Sequence, residues 1–178
     1  MAWEPMLERV AAERYARLLA FAILLAGSRA PAEDLVQEGF VSSFSARARF
    51  ASVEQAEAYV RRSIASRFVD HARRRTTERE VLRLVAPLVE DVPEPQFAPE
   101  LRSALASLPP RERACAVLRH LEGLSTRETA ELLGLSEGSV KRYLSDAMAS
   151  LAARLGPLDG ADEHVDVKTS AKEVRRGR

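Results

Sequence analysis

The segment LSTRETAELLGLSEGSVKRYL, residues 124–144, constrains the fold more than any other stretch of the chain. Ser125 followed by Glu128 is a capping box: the serine hydroxyl takes the glutamate N–H, and the glutamate reaches back to the serine N–H. Gly134 supplies the left-handed residue that ends a helix of about two turns, and Ser136 caps the next helix at once. A short helix, a glycine turn and a longer helix make the helix-turn-helix of DNA-binding proteins. Ala130 is small where the two helices cross, while Leu133, Leu135, Val140 and Leu144 fill the angle between them. Glu137, Gly138, Ser139, Lys141 and Arg142 are left on the exposed first turns of the second helix, the turns that enter the major groove in this motif. An ordinary αα-hairpin within a bundle is the bland alternative.

The remainder also reads as helix, which makes the fold class all-α. A first helix spans about Met6 to Ala26 and is stopped by Gly27 and Ser28. Pro31 suits the opening turn of a second, with Glu33 and Asp34 facing its positive dipole end. Ser52 with Gln55 forms another capping box, starting a third helix with Tyr59, Val60, Ile64, Phe68 and Val69 on one side. Residues 85–98, VAPLVEDVPEPQFA, break the periodicity with prolines and acids. Helices resume at Pro99–Leu108, Arg111–Leu121, Thr126–Leu133 and Glu137 to about Leu155. The expected organisation is two small helical domains, 1–84 and 99–156, a Pro-rich acidic linker at 85–98, and a flexible tail at 157–178.

Composition excludes several classes. The single cysteine, Cys115, rules out a disulfide framework and a cysteine zinc site, and His71, His120 and His164 are too scattered for a metal cluster. No nucleophile–base pair or Gly-rich phosphate loop points to an enzyme, and no cofactor is expected. The longest apolar run, Leu18 to Gly27, is about half of the ~20 residues a membrane span needs, so a cytoplasmic protein without membrane insertion is expected. Net charge is only +1, but it is unevenly spread. Residues 61–86 carry eight arginines against three acids, and Arg61, Arg62, Arg67, Arg73, Arg74 and Arg75 fall within fifteen residues offset only by Asp70. Such a block repels itself unless a polyanion is near, so the third helix is a candidate phosphate-binding surface. A solvated helix face is the alternative.

The order AEDLVQEGF, an Arg-rich helix, a Pro-rich acidic linker and LPPRERACAVLRHLEGLSTRETAELLGLSEGSVKRYL closely resembles the extracytoplasmic-function (ECF) sigma factors of bacterial RNA polymerase. The resemblance covers about residues 7–155. It implies a sigma-two-like domain, a sigma-four-like domain, and binding to core RNA polymerase and promoter DNA. By that likeness Asp34, Leu35, Gln37 and Glu38 dock on the polymerase. Arg47, Phe50, Tyr59, Arg61, Arg62, Arg67 and Arg74 serve the minus-ten element, with aromatics, Phe44 among them, stacking on bases and arginines holding the strand. Arg127, Ser136, Glu137, Ser139, Lys141 and Arg142 serve the minus-thirty-five element. The chain departs from the pattern at Phe44, often tryptophan in the family, and at Asp146 and Met148, where basic residues are common.

The resemblance further implies an anti-sigma partner wedged between the domains, so a compact inhibited form and an extended active form are expected. A stand-alone helix-turn-helix regulator with an N-terminal sensor or dimerisation domain is the rival reading. A sigma-like adaptor that has lost promoter function is another.

Overall fold

The computed structural model describes residues 4–46, 49–77 and 97–156; most of the expected linker and the whole expected tail lie outside them. Seven helices, and no strand, occur among the described residues: α1 (Glu4–Ala26), α2 (Arg29–Ala46), α3 (Val53–Thr77), α4 (Pro99–Ser107), α5 (Pro110–His120), α6 (Thr126–Leu133) and α7 (Glu137–Leu155).

The first three helices form a bundle in which each touches the other two. Gly27, at φ +86°, turns the chain left-handed after α1 and donates its N–H to Ile23 O at 2.8 Å. The second helix opens at Arg29, with Pro31 inside its opening turn as expected. Glu33 therefore lies beyond its first turn, and instead of facing the dipole it is buried against Arg29 Nε at 2.7 Å. Ser52 Oγ accepts the Gln55 N–H at 3.2 Å, while Gln55 Oε1 takes the Ala51 N–H, so the capping reciprocity is displaced by one residue. Where α2 crosses α3, Gly39 faces Ile64 so closely that a Cβ would meet Ile64 Cγ1 at 2.6 Å.

The second half gathers around α7, which touches α4, α5 and α6. Pro99 and Pro110 occupy the first helical positions of α4 and α5, where the missing N–H costs nothing. That places the start of α5 one residue earlier than expected.

The two halves also pack on each other, α1 against α4 and α5, and α3 against α5 and α6. One hydrophobic core runs from Leu7 through Ile64 to Leu105 and Leu151. The apolar run Phe21–Leu25 at the end of α1 is buried on every side. A helix apolar all round needs partners all round, and here the second half supplies them.

Candidate nucleic-acid interface

On α2, Asp34, Gln37, Glu38 and Val41 follow the i, i+3, i+4, i+7 spacing of one helix face. Asp34 and Gln37 are exposed, Glu38 is partly so, and Val41 is 65% exposed, a large apolar side chain left in water. With Arg67, His71 and Arg74 from α3 they line a groove of about 660 Å³. His71 Nε2 lies 2.8 Å from Glu38 Oε2 across it. Leu35 is a correction: it is 3% exposed and belongs to the core, because its position on α2 faces α1 and α3. It positions the face without being part of it.

The cationic helix α3 does not present its arginines as one row. Arg62 and Arg74 are exposed. Arg67 is half-buried, its Nη2 3.4 Å from Ser42 Oγ. Arg61 is enclosed: Nη2 donates to Glu57 Oε1 at 2.7 Å, and Nη1 donates to both oxygens of Glu122 at 2.7 Å. Its guanidinium also lies 5.8 Å from the Phe21 ring centre. Of the aromatic candidates, Phe50 and Tyr59 pair with ring centres 5.3 Å apart, tilted by 59°. Both are half-buried, as is Phe44, and Phe44 and Phe50 each pack against the core. Arg47 and the side chain of Arg75 lie outside the described residues.

The helix-turn-helix is built as local chemistry requires. Ser125 Oγ accepts the Glu128 N–H at 3.1 Å, and Glu128 Oε2 accepts the Ser125 N–H at 2.8 Å. The Ser125 N–H, with the Ser125 hydroxyl donating to the same oxygen at 2.7 Å, favours the Glu128 carboxylate and holds it below its ordinary pKa. Gly134 at φ +62°, ψ +40° ends α6, and Ser136 Oγ accepts the Ser139 N–H at 3.1 Å to start α7. Ala130, Val140 and Cys115 are buried between the helices, with Leu133, Leu135, Tyr143 and Leu144 packed around them. Burial pushes the Cys115 thiol up to about 11, which leaves it an apolar filler.

Arg127, Ser136, Glu137, Lys141 and Arg142 are exposed and Ser139 is half-buried. Three are already occupied locally. Ser136 and Ser139 hydroxyls bond each other at 2.8 Å, and Arg127 Nε lies 2.9 Å from Glu131. Arg142 stands 5.6 Å over the Tyr143 ring and 3.8 Å from Asp146, one turn on. Met148, where the family pattern is basic, packs against the core, so burial accounts for that departure.

Sequence reasoning passed over Arg113 and Glu122. Arg113 is 9% exposed, with burial lowering its pKa. It donates to Leu25 O at 2.5 Å on α1, and to Ala106 O at 2.6 Å and Leu108 O at 3.1 Å in its own half. Its guanidinium lies 5.6 Å from the Phe68 ring centre on α3. The available signal was position: Arg113 is four residues before Val117, on the buried stripe of α5. Glu122 carried no such signal, because its partner is sixty-one residues away.

The described helices include none long and apolar enough to cross a membrane, and the described residues hold no cluster of His, Cys, Asp and Glu suited to a metal ion. The family described as Sigma-70 region 2 matches residues 11–78, and Sigma-70, region 4 matches residues 99–151. The chain is 37% identical over 139 residues to the ECF RNA polymerase sigma factor SigF of Caulobacter vibrioides, covering 76% of this chain and 77% of that one. It is 32% identical over 170 residues to the RNA polymerase sigma-E factor of Streptomyces avermitilis, 92% of each chain. The sigma factor RpoE of Bartonella quintana, solved in complex with the anti-sigma factor NepR, shares the fold. Its TM-score is 0.58 at 23% identity, over 83% of this chain and 94% of that one.

Proposed function

The chain belongs to the ECF RNA polymerase sigma factors, and from that premise we propose how its surfaces divide the work of starting transcription. It is an initiation factor and not an enzyme: it binds core RNA polymerase and directs it to promoters. The α2 face of Asp34, Gln37, Glu38 and Val41 meets the polymerase, since exposed acid and amide groups beside a bare valine suit a basic, partly apolar helical surface. Arg61, Arg62, Arg67 and Arg74, together with Arg47, hold the melted minus-ten strand, and Phe50 with Tyr59 offers it a stacking surface. Lys141, Arg142 and Glu137 read the minus-thirty-five duplex from the first turns of α7, with Arg127 on the adjoining phosphates. Ser136 and Ser139 serve there as caps that aim those turns.

The division into 1–84, 85–98, 99–156 and 157–178 is part of the same reading. A linker of that length, extended at ~3.1 Å per residue, reaches ~43 Å. That exceeds the ~34 Å helical turn separating successive major-groove sites. The protein works in the cytoplasm, where its polymerase is, and an anti-sigma protein seated between the domains is the partner that would silence it.

The observation that carries the reading is the accessible, capped N-terminal end of α7 on the same chain as the cationic α3. Run-off transcription with purified core polymerase on a genomic fragment library tests it. Discrete transcripts that need the chain are expected. No transcripts, together with tight duplex binding by the chain alone, would favour the stand-alone regulator.

A further inference from the structure

We propose that the chain carries its own latch: Glu122, in the loop leading into the helix-turn-helix, occupies Arg61 of α3 and holds the protein in a closed form that cannot grip the melted strand. This rests on the reading of Arg61 as a strand contact.

A carboxylate occupies the cation that a strand phosphate would need. Both oxygens of Glu122 accept from Nη1 of Arg61 at 2.7 Å, as two oxygens of a phosphodiester would. The two side chains are 18% and 16% exposed, so water screens the pair only weakly. Arg61 is not short of an anion within its own half. Glu57 accepts from its Nη2, and Glu57 is itself approached by Arg14 at 3.7 Å and Arg17 at 3.5 Å. Three cations therefore converge on Glu57, and the second half adds the carboxylate that brings the cluster toward neutrality. Glu122 is placed for this by the end of α5: its N–H bonds Val117 O at 3.3 Å, and Gly123 at φ +67° turns the chain away toward Ser125. Releasing Glu122 thus frees the strand-binding cation and the loop that carries α6 and α7 in one event.

A second contact closes the same interface from the other side. Arg113 bridges Leu25 O on α1 to Ala106 O and Leu108 O, and lies against Phe68. A Cβ at Gly27 would stand 3.5 Å from Ala106 Cβ, within the disulfide range of ~3.5–4.5 Å. That pair of positions offers a covalent lock for the closed form; the strain of a side chain at left-handed Gly27 is present in both redox states, so the difference between oxidised and reduced protein reads the lock alone.

The test uses the full chain. Dyes on cysteines at Ala12 and Ala149, both exposed, report separation of the halves by energy transfer, while buried Cys115 stays unlabelled. Glu122→Gln keeps the shape and removes the charge. Losing this charge-assisted bond should shift the closed-to-open ratio by about tenfold and raise open-complex formation at limiting core polymerase. Gly27→Cys with Ala106→Cys should lose run-off transcription when oxidised and regain it with reductant. An unchanged dye distance in Glu122→Gln overturns the latch, and an oxidised lock that transcribes like its reduced form overturns self-inhibition. Arg61→Ala separates the latch from the strand-contact reading: it should open the chain as Glu122→Gln does, yet lower open-complex formation. Opening with open-complex formation intact would support the latch while removing Arg61 from the strand.

Discussion

Replacing Gly39 by alanine tests how closely α2 and α3 approach beneath the proposed polymerase face. A methyl there falls 2.6 Å from Ile64 Cγ1 and 3.5 Å from the Ile64 backbone nitrogen. Carbon atoms pack best at ~3.5–4.0 Å, so one of the two helices must yield by about 1 Å. Ile64 is fully buried, Cγ1 is not a free chain end, and its β-branch is stiff, which leaves little room for a side-chain escape. Two effects oppose each other. Alanine gains about 1 kcal/mol in helix propensity over glycine, while overpacking costs about 1–3 kcal/mol. The stiff partner puts the cost in the upper part of that range, so a net loss of about 1–2 kcal/mol is expected. Ile64→Ala alone should cost about 2–5 kcal/mol. In the double variant the new methyl enters the vacated space, the clash disappears and the propensity gain returns. The pair should therefore be coupled by about 1–3 kcal/mol in the stabilising direction. Hydrogen-exchange free energies of α2 and α3 amides measure all three variants in the full chain. If Gly39→Ala stabilises these helices and simply adds to Ile64→Ala, the close approach is wrong.

Three further outcomes are expected. Asp34→Ala with Glu38→Ala should weaken association with core polymerase several-fold with helicity retained; unchanged affinity in a pull-down would remove this face from the interface. Arg142→Ala should lose about 1–3 kcal/mol of discrimination among upstream duplex sequences, measured by competition binding, whereas equal weakening on every sequence would reduce it to a phosphate contact. Ser125→Ala should cost α6 about 1 kcal/mol, read as faster exchange of the amides at its start; no change there would mean that packing alone fixes the helix.

Legibility in the sequence follows the range of the chemistry. Ser125, Glu128, Gly134 and Ser136 set helix ends through partners within four residues, so their spacing announces them. Pro31 does lie in the opening turn of α2, but a proline is tolerated anywhere in a first turn, where no N–H is required, so it does not fix the first residue, and Glu33 and Asp34 fall beyond the dipole end. Leu35 groups with its exposed neighbours in the string because a docking motif quoted as a string hides the 100° rotation between successive residues. The Arg block looks uniform, yet Arg61 is largely enclosed by Glu57 and Glu122 while its neighbour Arg62 is exposed. No local pattern holds Glu122–Arg61 or Arg113–Leu25, sixty-one and eighty-eight residues apart. The advance traces of that interface are the place of Arg113 on the buried stripe of α5 and the apolar run Phe21–Leu25, which has no polar side to give to water.

That interface is also made in a way that lets it separate. When the halves part, Arg113 keeps Ala106 O and Leu108 O within its own half and gives up the Phe68 ring and Leu25 O, a carbonyl at a helix end that water can reach. Arg61 keeps Glu57, and Glu122 returns to solvent as an ordinary surface acid. Neither half is left with a buried charge stripped of its partner, the situation that makes breaking an ion pair cost several kcal/mol. The remaining cost is apolar: surface around the end of α1 and Phe68 that the second half now covers. At roughly 25 cal/mol per Å² this penalty grows with the area bared, and a partner that covers it offsets the opening. Under the latch proposal, polymerase binding does this by drawing the halves apart onto its own surface. The polar contacts then set which partner is accepted, and the apolar contacts set how firmly the free chain stays closed.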